Sequence, residues 1–310
     1  MTDTSLSSSP LLAASPSNDS ARAHSAAVAR FHDRYASMLR RKRLTDAFFL
    51  AGFLACLAAS AVIGDFDPVK IWNGLPRLHE FIVKILPVLR WDSLGADLAE
   101  WFLPARLWLK LLLETVLIAF LATVFGVCGA FALSFPASRN LMRSRAVFFA
   151  SRRVLEIART VPELVYALIF VFCFGIGPLA GVLAIAIHTM GALGKLYSEV
   201  NENIDMKPVE GLRAAGADWL QMVRYAVVPQ VLPNHVSYTL LRFEVNVRSS
   251  SIIGFVGAGG LGQEIRTAIS FQYYTDISAL FLIILVTVAA IDLVCEHIRH
   301  GFIGREKLAQ

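Results

Sequence analysis

Residues 251–264 read SIIGFVGAGGLGQE, and Gly257, Gly259 and Gly262 have the G-x-G-x-x-G spacing of a turn that cradles a dinucleotide pyrophosphate. Asp276 follows at about the separation from which an acidic side chain reaches a ribose hydroxyl. A second group of residues is ionisable yet lies within apolar runs: Glu163, His188, Arg242, Glu244 and Arg248, with Ser249, Ser250 and Ser251 directly after the last. In hydrocarbon such groups are costly unless paired or wet, so they mark solute paths or structural pairs. A third group, His79-Glu80, opens an H-E-x-x-H zinc-hydrolase pattern, but Val83 stands at the second histidine position and the pattern fails. There is no G-x-x-x-x-G-K-[ST] loop for nucleotide phosphates and no G-x-S-x-G nucleophile elbow. Cys56, Cys128, Cys173 and Cys295 stand far apart in apolar runs, so buried reduced thiols are expected and no metal site or redox pair. No bound cofactor is expected.

The elements that would have to position these residues decide between the readings. Of 310 residues, 56% are hydrophobic and 17% charged, against roughly 25% charged in a soluble domain. Mean hydropathy is +0.58. The apolar residues gather into runs. Residues 47–64 carry no charge and as a helix would measure about 27 Å, enough to cross a bilayer. A signal peptide cut after Ala59-Ser60-Ala61 is the alternative, but the polar leader is too long for one, and an uncleaved span is expected. Further runs lie at 111–135, 161–176, 180–197 and 278–296. The stretch 236–256, with its three charges, makes a sixth span, or the count is five if it dips in and returns. A Rossmann domain needs amphipathic helices alternating with strands. These flanking segments are instead apolar all round, so the glycine pattern is fortuitous. Gly257, Gly259, Gly260 and Gly262 then mark the exit of the fifth span, where they permit a tight turn or close helix approach. The fold class expected is an all-α membrane protein of about six transmembrane helices.

Four regions follow. Residues 1–45 are polar and end in the basic run Arg40–Arg43, with the Ser- and Pro-rich beginning expected to be disordered. The basic run reads as a cytoplasmic flank rather than a nucleic-acid site. Residues 46–107 hold the first span and a loop carrying Trp72, Trp91 and Trp101, with Trp108 just beyond, a density that fits a membrane interface or a small amphipathic hairpin packed on the bundle. Residues 108–298 form the core and 299–310 a tail. Arginines cluster before the first span, in the 136–160 connection and in the tail, which puts both termini and the 198–235 loop in the cytoplasm.

That loop contains KPVEGLRAAGADWLQMVRYAVVPQVLPN, residues 207–234. Pro208 suits a first helical turn, Gly216 breaks the pattern, and Trp219, Met222, Val223, Ala226 and Val227 recur at helical spacing up to a stop near Pro229. A helical hairpin with one apolar stripe can pack beneath the bundle or dock in a partner's groove. Glu210, Gly216 six residues on and Pro229 thirteen further match the E-A-A-x-x-x-G-x9-I-x-L-P loop of ABC-importer permeases, with Gly211 and Leu212 in place of the alanines and Ala226 and Val228 in place of Ile and Leu. Residues 114–133, 159–172, 186–204 and 247–262 resemble the phosphonate-transporter permeases in particular, and the resemblance covers about 108–298. It implies a type I importer bundle in a bacterial inner membrane, a permease homodimer, two ABC ATPase subunits and a periplasmic substrate-binding protein. It also implies that Glu210, Gly211, Gly216 and Pro229 belong to the segment that docks on the ATPase.

A phosphonate or phosphite is an anion, and weak, multi-site cationic and hydroxyl contacts would ease its passage. His188, Arg248, Ser249 and Ser250 are the candidates for that path, with Glu163 after Pro162 as a cap or brace. Glu244 lies four residues before Arg248, so the two can form a purely structural pair. Glu114, Lys195 and Arg242 fall near span ends, where they can snorkel. The function expected is ATP-driven import of phosphonates or phosphite-like oxyanions. The alternatives are a permease for another small solute, such as an amino acid, and an intramembrane enzyme using Glu163 and His188.

Overall fold

The computed structural model describes residues 18–309 and divides the chain into two compact units, Met1–Leu78 and His79–Gln310. The first holds α1 (Asn18–Ile63) and the opening turns of α2 (Pro68–Ile85). With no glycine or proline between residues 18 and 51, α1 runs unbroken from the basic stretch into the apolar run. Most of the Ser- and Pro-rich beginning lies outside the described residues.

The second unit is built on two long helices, α4 (Ala105–Ser134) and α7 (Pro178–Glu202), packed along their lengths. Small residues set their spacing. A Cβ on Gly126 would lie 2.6 Å from the Thr189 side chain, so α4 and α7 meet closely there. On another side of α7, Gly191 faces backbone of α5 (Arg145–Thr160), whose Arg159 nitrogen would sit 2.5 Å from an added Cβ. α6 (Glu163–Phe174) also packs on α7. α10 (Val228–Ile253) crosses α4 and α7, and α12 (Tyr274–Ala309) covers α10 and α11 (Leu261–Ser270). The short α3 (Leu94–Trp101) rests on α12, where the Trp101 indole Nε1 donates to the Thr275 carbonyl at 3.1 Å. Trp108 is buried in the same cluster as Leu261, Ile265 and Leu280, so it is a core residue, not an interfacial anchor.

Among the described residues, four helices are long and apolar enough to cross a membrane: Ala29–Ile63, Ala105–Ser134, Pro178–Glu202 and Tyr274–Arg299. The pair α5 and α6, bent by 86°, makes a fifth if counted as one broken span. The run at 161–176 therefore does not cross alone. Its helix has 12 residues, about 18 Å, because Pro162 and the Gly175–Gly177 pair stop it at both ends. α10, the remaining expected span, is long enough at 26 residues but too polar to pass on hydropathy. Asn246, Ser249, Ser250 and Ser251 are instead buried within the bundle, while Arg248 stays on the exposed side. Only Cys295 is buried within the chain, while Cys56, Cys128 and Cys173 lie on outer helix faces. An apolar run does not bury a thiol in protein when lipid is its other neighbour.

Candidate functional site: a surface hairpin and an interior polar layer

The 207–234 region folds as α8 (Lys207–Ala214), a turn, α9 (Trp219–Met222) and one π-helical turn (Val223–Val227) that runs into α10. Gly216 makes the turn with φ +85°, and the amides of Gly216 and Ala217 donate to the carbonyls of Arg213 (3.1 Å) and Leu212 (3.0 Å). Asp218 then starts α9 with a capping box: its Oδ1 accepts from the Gln221 amide at 2.7 Å, and Gln221 Oε1 accepts from the Asp218 amide at 3.0 Å. The helix does not stop at Pro229. That proline sits in the first turn of α10, and the wide π turn just before it absorbs the missing N–H and the ring's bulk.

The apolar stripe faces the bundle. Val223, Ala226 and Val227 are buried against Val209, Phe135 and Leu141, with Trp219 and Met222 at the edge. The Trp219 indole donates to the Leu141 carbonyl at 3.1 Å. The hairpin's other side is left open. Glu210, Gly211, Gly216 and Pro229 are all exposed, together with Leu220 (67%) and Tyr225 (62%). Sequence reasoning misses these two. Their signal is that they are the bulky apolar residues of 219–227 that fall off the stripe.

Polar clamps surround the hairpin's junctions with α7 and α10. Gln230 Nε2 donates to the carbonyls of Ala226 (2.7 Å) and Asp205 (3.2 Å), and its Oε1 accepts from the Asp205 amide (3.1 Å). Glu202, at the end of α7, accepts from the Arg139 amide at 2.8 Å and pairs with Arg152 of α5 at 3.0 Å.

Within the bundle, fully buried Asn246 joins three helices. Its Nδ2 donates to Thr123 Oγ1 on α4 at 2.8 Å, and its Oδ1 accepts from Thr189 Oγ1 on α7 at 3.1 Å. Arg242, one turn before Asn246, is half-buried and points Nε at Thr189 Oγ1, 3.4 Å away. Arg242 therefore does not snorkel outward: the Thr189 hydroxyl draws it inward. Glu163 Oε2, at the start of α6, is buried without a hydrogen-bond partner. Thr123, Thr189 and Asn246 escape a search for charges, although Arg242, Asn246, Ser249 and Ser250 recur at helical spacing and mark the inner face of α10.

His188 braces the break between α5 and α6. Its Nδ1 lies 3.1 Å from the Val161 carbonyl, which can only accept, so Nδ1 carries a proton. Ser249, Ser250 and Ser251 are buried, with Ser250 donating to the Thr115 carbonyl at 3.1 Å. Arg248 lies on the exposed side of α10 and pairs with Glu244 at 2.7 Å. The structure thus turns Arg242 towards Thr189, and sets Arg248 apart from the serines that follow it.

Residues 123–300 match the family described as binding-protein-dependent transport system inner membrane component. The chain belongs to this family. Over 250 residues, 81% of this chain and 86% of the relative, it is 34% identical to the phosphite transport system permease protein PtxC of Stutzerimonas stutzeri. A 121-residue stretch, 39% of this chain and 99% of the relative, is 47% identical to the putative cryptic phosphonate transport system permease protein PhnE2 of Escherichia coli K12. In fold it resembles a chain of the MetNI methionine ABC transporter in an inward-facing form, with TM-score 0.55 and 21% identity, covering 64% of this chain and 97% of that one. The protein is a multi-pass inner-membrane permease subunit of an ABC importer.

In the permease, the glycine run turns the chain at the end of the bundle opposite the hairpin. Gly257, Gly259 and Gly260 have φ of +92°, +84° and +74°, and with Gly262 they are buried. A Cβ on Gly262 would collide with the Ser251 carbonyl, so α10 and α11 touch backbone to backbone. α4 caps the turn: Glu114 Oε1 accepts from the Gly260 amide at 3.3 Å and Thr115 Oγ1 from the Leu261 amide at 2.8 Å. Glu114, whose position suggests snorkelling, accepts from the Gly260 amide instead.

Proposed function

We propose that this permease imports phosphonates or related phosphorus oxyanions such as phosphite, driven by ATP hydrolysis on a separate subunit that docks on residues 207–229. The observation that carries the coupling half is the two-sided hairpin. Its apolar stripe is used on the bundle, while Glu210, Gly211, Gly216, Leu220, Tyr225 and Pro229 remain open to a partner. Two bulky apolar anchors beside polar groups are what a docking face needs. The relatives named for phosphite and phosphonate transport support the substrate class.

The chain's own chemistry agrees with an anionic cargo. Arg242 supplies an interior cationic group, and the buried Ser249 and Ser250 continue along the same inner face of α10. Conduction needs binding weak enough to release. The turn at Gly257–Gly262 forms the outer closure, a periplasmic binding protein delivers the substrate, a second copy of the permease completes the path, and both termini face the cytoplasm. The test is uptake of labelled phosphite and methylphosphonate by vesicles holding the permease with its ATPase and binding protein. Uptake should need ATP, and Arg242→Gln should slow it most at low substrate. Uptake of amino acids in preference to either oxyanion would overturn the substrate class, and transport unaffected by Glu210→Lys would overturn the docking face.

A further inference from the structure

We infer that the cleft between the α4–α5 connection and the start of α5 is a binding site for an anionic phospholipid: headgroup phosphate among Arg139, Arg143 and Arg145, acyl chains along the outward side of α5. The cleft has a volume of about 760 Å³ and is lined by those arginines with Met142, Phe148 and Phe149. The segment 139–159 holds six arginines against one acid, Glu156. Glu156 is taken by Arg153 at 2.6 Å, and the nearby Glu202 by Arg152 at 3.0 Å. Among the described residues no carboxylate pairs with the side chains of Arg139, Arg143 or Arg145. Three uncompensated guanidinium groups around one opening repel one another, and a phosphodiester relieves that while accepting their hydrogen bonds.

The direction of α5 selects a lipid over a free anion. Ser151, Leu155 and Ala158 pack inward. Arg152 pairs with Glu202 at the end of α7, while Arg159 lies against Gly191, eleven residues earlier on the same helix. α5 thus climbs from the hairpin end towards the middle of the bundle, and its outward side carries Val147, Val154 and Ile157, exposed by 45%, 47% and 64%. These sit at helical spacing above the cleft. Charge at the bottom and an apolar strip rising from it match a phospholipid's headgroup and tail. Inorganic phosphate would satisfy the arginines and leave the strip bare, and so would an acidic protein surface. The site adjoins the hairpin, because Leu141, between Arg139 and Arg143, accepts from the Trp219 indole.

The inference does not rest on the substrate class or the ATPase. It is tested on the full-length permease in detergent by native mass spectrometry, with phosphatidylglycerol and phosphatidylcholine in competition. Phosphatidylglycerol should be retained preferentially and resist millimolar inorganic phosphate. The triple variant Arg139→Gln, Arg143→Gln, Arg145→Gln should weaken its binding about a hundredfold, at about fivefold per basic residue near an anionic headgroup. The triple lysine variant should keep most of it. Equal retention of the two lipids by the wild type overturns the proposal, and does so even if the glutamine variant fails to fold. Displacement by inorganic phosphate would mark a free-oxyanion site instead. A glutamine variant that keeps the lipid but loses the ATPase subunit would mark a protein-docking surface, also overturning it.

Discussion

Replacing Gly216 with isoleucine should uncouple the permease from its ATPase without removing it from the membrane. The reason is conformational, not steric: an added Cβ at Gly216 meets nothing within 4 Å, but φ is +85°. A left-handed backbone costs an L-residue roughly 1–2 kcal/mol, and a β-branched side chain stands at the top of that range. If the turn relaxes to escape the strain, the docking-competent hairpin is depopulated by a factor of about 5–30, and the apparent affinity for the ATPase falls by the same factor. Asparagine tolerates this region of backbone space, so Gly216→Asn should lose far less. The assay is titration of the purified ATPase subunit onto permease in nanodiscs, read beside transport and ATP hydrolysis. Unchanged affinity in the isoleucine variant would refute the argument. So would an equal loss in both variants, because the effect would then not follow backbone preference.

The interior layer predicts that Asn246→Leu destabilises the bundle by about 1–2 kcal/mol, since Thr189 loses its acceptor in a dry site; thermal unfolding in detergent that matches the wild type would remove Asn246 from the framework. Arg248→Gln should impair assembly by leaving Glu244 unpaired, and the added change Glu244→Gln should restore it. If the double variant assembles but transports slowly at low substrate, Arg248 acts on the anion; full recovery makes the pair structural. Single cysteines at exposed positions of 65–107 and 263–272 should label from outside in a cysteine-free background, and those in 207–230 only from inside. Labelling of the hairpin from outside would invert the topology and with it the docking assignment.

The sequence alone determined that this is a helical membrane protein and where its helical hairpin lies. Both follow from local chemistry. Uncharged runs of about 20 residues cannot be soluble helices, and Pro208, Gly216 and the spaced apolar residues from Trp219 to Val227 act within a turn or two of themselves. The arginines of 139–159 were visible too, as was the i,i+4 pair of Glu244 and Arg248. What a side chain meets across a helix interface was not. Arg242 looks like a span-end residue in one dimension, and only the approach of Thr189 from α7 turns it inward. Asn246 and the two threonines carry no charge to betray them, and their partners are 57 and 123 residues away in the chain. Pro229 reads as a stop, yet a π turn carries the helix through it because packing of Val223, Ala226 and Val227 on the bundle outweighs one lost hydrogen bond. Period and composition fix which segments are helices. Which of their faces are inside is decided by neighbours that the linear order does not contain.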